Sequence, residues 1–115
     1  MIKNGTINKI SRLLRAIDHP ARSKIILAIG KGEACVCHLE ATLGMRQAYL
    51  SQHLMALRRA GILRTHRNGR FIYYRLANPE ILDVLNSSAS ALNIVLNTNV
   101  ITPNPTKCNC PKCSH

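Results

Sequence analysis

Five cysteines carry the most distinctive chemistry of this chain, and they form two groups. Cys35 and Cys37 are separated by one residue, whereas Cys108, Cys110 and Cys113 lie close together near residue 115. Deprotonated thiols bind soft ions strongly and zinc as a borderline case. The spacing therefore predicts a thiolate site for a soft metal or metalloid ion, with zinc as a borderline case.

Charge and composition narrow the classes of function. Sixteen Lys and Arg residues against five Asp and Glu residues give a formal net charge of +11, which favours an acidic partner such as nucleic acid. The sequence has no apolar run of about eighteen residues and no apolar secretion signal. We expect a cytoplasmic protein with reduced cysteines and no membrane partner. An enzyme is not indicated, since neither a phosphate-binding loop nor a cleft-like pair of carboxylates is recognisable.

Apolar periodicity predicts a helical chain with one β-hairpin. Helices are expected over residues 6–17, from His19-Pro20 to Ile29, over about residues 36–43, and from near Arg46 to before Gly61. Gly44 lies between the third and fourth helices as a left-handed terminator, and two helices joined by such a tight turn form a helix-turn-helix.

The segment after Gly61 predicts a basic wing. Two β-prone runs flank Asn68-Gly69, which favours a hairpin with a type I′ turn. Asn78-Pro79 then begins a last helix that is expected to end near Asn97. The fold class is therefore mainly α with a small β-hairpin (α+β), a winged helix-turn-helix domain over residues 6–97. A flexible Cys-rich tail is expected over residues 98–115.

The fourth helix and the wing contain the candidate DNA contacts. The second helix of a helix-turn-helix enters the major groove, and the N-terminal half of that helix faces the base edges. Arg and Gln can bond purine edges bidentately, whereas cations at the wing tip suit phosphates or the minor groove. For His53 the sequence leaves phosphate contact and packing against the wing equally open. The candidates are Arg46, Gln47, Tyr49, Ser51, Gln52, His53, Arg67 and Arg70.

Three segments together resemble the ArsR/SmtB family of bacterial metalloregulatory repressors. They are residues 43–54 (LGMRQAYLSQHL), 57–63 (LRRAGIL) and 69–76 (GRFIYYRL). The resemblance implies a winged-helix homodimer formed through the first and last helices. It also implies that the dimer binds an inverted-repeat DNA operator and leaves it when an ion binds. One departure is Arg46, which stands where the family often has a capping Ser.

The first cysteine pair also fits this resemblance. Residues 33–39 (EACVCHL) resemble the third-helix sensor motif of the arsenic- and cadmium/lead-responsive members, although His38 stands where Asp is frequent. Residues two apart in a regular helix project about 200° from each other. We therefore expect that an ion shared by Cys35 and Cys37 distorts the start of the third helix, which supports the DNA-reading helix.

Several alternatives remain open from the sequence. The tail cysteines can complete the Cys35/Cys37 site from the same or the partner subunit, or bind an ion of their own. A reversible disulfide would make the protein a thiol-redox repressor, and free cysteines are often plain core residues. The last helix offers Asp83 without a histidine, which argues against a zinc site between the last helices of two subunits.

Overall fold

The computed structural model describes residues 2–96. Within this range the chain is mainly helical with one small antiparallel sheet, so the expected winged helix-turn-helix is confirmed. Residue 97 and the expected tail, with Cys108, Cys110 and Cys113, lie outside the described residues. The elements are α1 (Asn4–Ile17), α2 (Pro20–Ile29), β1 (Glu33–Cys35), α3 (Val36–Leu43), α4 (Gln47–Arg59), β2 (Leu63–Asn68), β3 (Phe71–Leu76) and α5 (Glu80–Ala91).

The core lies where α2, α3 and α4 meet. The side chains at its centre are fully buried, and they occupy the apolar positions that recur every three or four residues in these helices. Truncating one such leucine to alanine typically costs about 2–5 kcal/mol of folding free energy. This packing therefore fixes α4 relative to α3. The central side chains are Ile25, Ile26, Leu39, Leu50, Leu54 and Leu57.

Gly44 ends α3 in the left-handed conformation, as expected. Its φ and ψ are 68° and 22°, and its backbone N–H donates to the Glu40 carbonyl at 2.8 Å. Residues with a Cβ rarely adopt this backbone conformation. The turn between the two helices of the helix-turn-helix therefore depends on a glycine at this position.

The sheet contains a third strand that the sequence pattern did not predict. β1 pairs antiparallel with β3, which also pairs with β2, so that Cys35 lies opposite Tyr73 and Tyr73 lies opposite His66. Three residues are too few for a recognisable alternation of apolar and polar side chains. The wing, which is the hairpin of β2 and β3, is thereby joined to the backbone of the first cysteine pair.

The wing turn lies one residue later than predicted. Asn68 pairs with Phe71, so the two central residues of the turn are Gly69 and Arg70. Gly69 has a φ of 64°, whereas Arg70 has no positive φ. This pattern, with glycine at the first central position, is that of a type II′ turn rather than the expected type I′ turn.

The last helix is shorter than its apolar periodicity suggested. Its N-cap residue is Pro79, one residue later than the expected Asn78, although Asn78 Oδ1 accepts a hydrogen bond from the Glu80 N–H at 3.0 Å. The helix ends at Ala91 instead of near Asn97, because Asn93 adopts a φ of 59°. The Ile94 N–H donates to the Ala89 carbonyl at 2.8 Å, which completes a Schellman motif with asparagine in the usual glycine position.

Candidate thiol site and nucleic-acid interface

Cys35 and Cys37 converge although they are only two residues apart. Cys35 is the N-cap residue of α3 and is extended, with φ −85° and ψ 167°, whereas Cys37 lies in the first turn of the helix. The two Sγ atoms are 3.2 Å apart. The expectation that a shared ion must unwind the start of α3 is therefore wrong, since Cys35 belongs to a strand and not to the helix.

This thiol pair fits two coordination positions of a thiophilic ion. Two thiolates at about 2.3 Å from a tetrahedral ion lie roughly 3.7 Å apart, so chelation requires an adjustment of about half an ångström. His38 is half-buried beside the pair, and burial lowers the pKa of its imidazole. Residues 2–96 contain no cluster of three or more His, Cys, Asp and Glu side chains suited to a metal. A three- or four-coordinate ion held by Cys35 and Cys37 would need one or two further ligands.

The thiol pair lines a surface pocket that reaches both expected DNA-contacting elements. The pocket has a volume of about 390 Å³. Gln47 contributes the first turn of α4, and Arg70 contributes the wing turn. The two sulfurs, the first turn of α4 and the wing turn therefore face one shared pocket. The lining residues are Cys35, Val36, Cys37, Glu40, Gln47, Arg70, Phe71 and Ile72.

Side chains on one face of the sheet join Cys35 to the wing. Cys35 is buried opposite Tyr73, whose exposed fraction is 1%. The Tyr73 ring stacks on His66 with 5.4 Å between the ring centroids, and His66 Nδ1 lies 3.0 Å from Glu33 Oε2. The sequence analysis missed Glu33, His66 and Tyr73 as parts of the site, because their proximity depends on β1. The dipeptide Tyr73-Tyr74 within a strand was the available signal.

The N-terminal half of α4 presents most of the candidate base-reading residues to solvent. Arg46, Gln47 and Gln52 are exposed, Tyr49 is 44% exposed, and Ser51 is half-buried. Arg46 is the N-cap residue, and its side chain makes no capping hydrogen bond, as its departure from serine suggested. The N–H groups of the first turn therefore have no side-chain cap, which suits an approaching phosphate.

The wing arginines are also exposed. Arg67 lies on β2, and Arg70 is the second central residue of the turn. The Arg70 guanidinium carbon lies 5.5 Å from the centroid of the Phe71 ring, so this cation is positioned over an aromatic face at the edge of the thiol pocket.

His53 does not lie with these exposed residues. Its exposed fraction is 8%, and it packs against His19 and Tyr49 rather than against the wing. Its Nδ1 accepts a hydrogen bond from Arg22 Nε at 3.1 Å. Burial, together with the proximity of His19 and Arg22, lowers the pKa of His53. We therefore assign His53 to the contact between α2 and α4 and remove it from the candidate DNA contacts.

Residues 19–65 match the sequence family described as bacterial regulatory protein, arsR family. This range includes α2, the thiol pair, α3 and α4. The biofilm growth-associated repressor of Xylella fastidiosa is 36% identical to the chain over 80 residues, which are 70% of each protein. The chain belongs to the arsR family.

A second relative has a name that refers to arsenic. The arsenic resistance transcriptional regulator ArsR1 of Pseudomonas putida is 46% identical over 66 residues, which are 57% of this chain and 50% of that protein. Because the matching relatives are named repressors and regulators of transcription, this arsR-family chain is a transcriptional repressor of the helix-turn-helix type.

Solved structures support the same fold. The transcriptional repressor BigR from Xylella fastidiosa superimposes with a TM-score of 0.70 and 33% identity, over 76% of this chain and 89% of that chain. The antimony-specific transcriptional repressor AntR superimposes with a TM-score of 0.72 and 26% identity, over 81% and 85% of the two chains.

Two surface features of this arsR-family chain bear on assembly. The exposed side of α1 carries Ile7, Ile10 and Leu14, and the segment after α5 exposes Leu92 and Val95.

Among the helices described, none combines the length and the apolar character needed to cross a membrane.

Proposed function

We propose that this arsR-family repressor is a homodimer that binds an inverted-repeat operator in double-stranded DNA and dissociates when arsenite, cadmium or lead binds to cysteine thiolates. The observation that carries the proposal is the 3.2 Å approach of the Cys35 and Cys37 sulfurs in a pocket that Gln47 and Arg70 also line. The role proposed is that of a regulator and not of an enzyme.

The two thiols belong to different parts of the fold, and bound operator would hold these parts in one relative arrangement. Cys35 is fixed to β3 through the sheet, whereas Cys37 moves with α3. An ion that bridges their sulfurs ties α3 to the sheet and occupies space beside the first turn of α4. The same ion changes the distance between Gln47 and Arg70. The repressor then loses the DNA contacts that require α4 and the wing to be correctly placed at the same time.

The remaining ligands would come from the other cysteines. Arsenite accepts three sulfurs, while zinc, cadmium and lead accept four ligands or a mixed set, so one or two positions remain after the thiol pair binds. Cys108, Cys110 and Cys113 are the other thiols of the chain, and we propose that they supply these positions from the same or the partner subunit.

The proposed dimer interface consists of the apolar side chains exposed on α1 and after α5. Ile7, Ile10 and Leu14 recur at helical spacing, so they form one stripe along α1. A second copy that covers this stripe would place two α4 helices symmetrically on half-sites that are one or two DNA turns apart, about 34 Å for each turn.

Names of similar proteins support a thiophilic effector. ArsR1 of Pseudomonas putida is named for arsenic resistance, and AntR is described as antimony-specific. The name of the biofilm growth-associated repressor states no ion.

A thiol-redox repressor is the second candidate, and the same sulfur distance favours it. A disulfide requires about 2.05 Å between sulfurs, so the 3.2 Å pair would have to close by a little more than one ångström. Oxidation of two thiols to a disulfide releases two electrons and two protons to an oxidant. A zinc-responsive repressor is a further alternative, and it would use the same thiol pair.

One titration separates these candidates. We would follow the anisotropy of a labelled operator complex while arsenite, cadmium, lead, zinc and an oxidant are added in parallel. Release by one ion under reducing conditions is expected. Release by the oxidant alone, reversed by dithiothreitol, would replace the ion with a redox signal.

The thiol pair itself is tested by Cys35→Ser together with Cys37→Ser. Serine keeps the size of the side chain but is a hard ligand that binds thiophilic ions poorly. We expect ion-induced release to disappear while operator affinity stays close to that of the wild type, since neither thiol has to touch DNA. The control is Lys24→Ala on the exposed surface of α2, which should retain release; normal release from the double serine variant would refute the proposed site.

A further inference from the structure

A second concave surface of the chain has no place in the proposed function. It is a groove of about 560 Å³ between α1 and the C-terminal end of α4, and we call it the basic groove. Its apolar lining residues are Leu13, Ala16, Ala56 and Ala60. Five cationic side chains also line it: Lys9, Arg12, Arg15, Arg22 and Arg59.

The positive charges of the basic groove form no ion pair among residues 2–96. No carboxylate is among its lining residues. The ion pair between His66 and Glu33 involves none of the cations that line the groove. A cluster of cations with no counter-charge raises the local concentration of anions in a concave site.

Arg22 makes the basic groove a prepared site. Its Nη1 donates to the Ala16 carbonyl at 3.0 Å, and its Nε donates to His53 Nδ1 at 3.1 Å. A guanidinium carries five N–H donors, so these two bonds hold the group in place and leave donors for a ligand. A cation that is already ordered loses less side-chain entropy when an anion binds.

The operator does not account for the basic groove. Base reading by Gln47 and Gln52 uses the N-terminal half of α4, whereas Arg59 is its last residue. The 13-residue helix is about 18 Å long, so its far end stands well away from the groove of the DNA that its first turns enter.

The proposed dimer leaves the basic groove open. On a helical wheel of α1, the apolar stripe of Ile7, Ile10 and Leu14 is centred about 150° from the side that carries Lys9, Arg12 and Ala16. A second copy that covers the stripe therefore contacts the opposite side of the helix.

We propose that the basic groove binds a small anion with at least two phosphate groups, of the size range from pyrophosphate to a nucleoside diphosphate. Guanidinium groups bond phosphate oxygens bidentately, and four arginines and one lysine match several negative charges better than one. The volume of the groove lies within the usual range for small-molecule sites, about 300–1,000 Å³. This site is independent of the thiol pair.

The test uses the full chain and inorganic pyrophosphate, with phosphate and sulfate as comparison anions at constant ionic strength. Binding is followed by calorimetry and by the rise in unfolding midpoint that a ligand of the folded state causes. The variant is Arg12→Gln with Arg59→Gln, and the matched control is Lys24→Gln with Arg58→Gln. The control also removes two charges, from exposed residues that do not line the groove.

Pyrophosphate is expected to bind the wild type and the control alike, and the groove variant at least about tenfold more weakly, which corresponds to about 1.4 kcal/mol. If pyrophosphate binding is weakened equally in both double variants, or if sulfate binds as strongly as pyrophosphate, the binding reflects general charge attraction. Either result would overturn the proposal. Absence of pyrophosphate binding, with weaker binding of the groove variant to an operator with long flanks, would assign the groove to DNA instead.

Discussion

Cys35 and Cys37 respond differently to their surroundings because their backbones belong to different elements. Cys35 is buried and extended, and the β ladder holds it opposite Tyr73. Cys37 is half-buried in the first turn of α3. An ion between the two sulfurs would therefore join the sheet to α3. If an ion weakens operator binding, bound operator must weaken ion binding by the same factor, because the two equilibria share one cycle.

His53 is a second residue whose chemistry follows from its position in the fold. Its Nδ1 accepts from Arg22, so the hydrogen-bonded imidazole lacks a proton on that nitrogen. Protonation would remove this acceptor and place a new charge beside His19 and Arg22. Burial and these neighbours accordingly hold the pKa of His53 below its ordinary value.

The pKa of His53 gives a signed prediction for stability. An unfolded histidine titrates near pH 6.5, whereas folded His53 resists protonation to lower pH. Between these two pKa values the unfolded chain binds more protons than the folded chain. The free energy of unfolding therefore falls as the pH drops below about 6.5, and this loss is complete at the folded pKa.

We expect His53→Asn to flatten this dependence, because asparagine can still accept from Arg22 but does not titrate. Unfolding midpoints measured by circular dichroism at about pH 7.5 and about pH 5.5 provide the comparison. The control is His66→Asn in the sheet, which should keep most of the decrease seen in the wild type. A decrease in His53→Asn as large as that in the wild type would show that other groups determine the acid sensitivity.

At the scale of elements, the sequence correctly predicted the features that depend on residues close together in the chain. Apolar spacing located α2, α3 and α4, and Gly44 marked the end of α3, because periodicity and positive φ are properties of neighbouring residues. β1 exists only through its pairing with β3, so it leaves no local pattern. The convergence of the thiols was missed for the same reason, since it depends on the extended backbone of Cys35.

The end of α5 shows a related limit. Apolar residues continue at helical spacing beyond Ala91, but Asn93 adopts a left-handed backbone and the helix stops. Asparagine is tolerated there less often than glycine, so its presence alone did not mark a terminus. Leu92 and Val95 are consequently exposed beyond the helix end, where a second subunit could cover them.

Mutations in α4 and mutations in the wing are expected to change DNA binding in different ways. Gln47→Ala or Gln52→Ala on α4 should reduce discrimination between operator and mismatched sites, by about 1–3 kcal/mol for each lost bidentate contact. Arg67→Ala or Arg70→Ala in the wing should weaken binding to all DNA and lower the slope of affinity against salt by about one.

The measurement is operator and non-operator affinity for each variant over a series of salt concentrations. The alanine variant of exposed Lys24, on the surface of α2, is a control for removal of a charge outside the interface. If the glutamine and arginine variants lose affinity for both DNAs in equal proportion, the division into reading and anchoring residues is wrong.

At the scale of the whole molecule, the proposed site relates the winged helix-turn-helix to the second cysteine group. The described part of the chain places two cysteine sulfurs in one pocket, and the ions considered would need at least one more ligand. Sequence alone left a shared site and a separate tail site open, and Cys108, Cys110 and Cys113 lie outside the described residues. Their contribution must therefore be separated by stoichiometry and by release, measured on the same protein.

Removal of residues 106–115 distinguishes the two arrangements. If the tail completes the site, the truncated repressor has only the thiol pair, and the ion concentration needed for operator release should rise by at least about tenfold, since each ligand lost weakens a chelate. If the tail binds its own ion, the truncated protein should bind fewer ions per subunit and still release DNA at the original concentration. Cys108→Ser with Cys110→Ser and Cys113→Ser in the full-length chain controls for loss of the segment itself. A shared site predicts that this variant and the truncation respond alike. Both lack the three tail sulfurs, whereas the triple serine variant keeps the tail backbone.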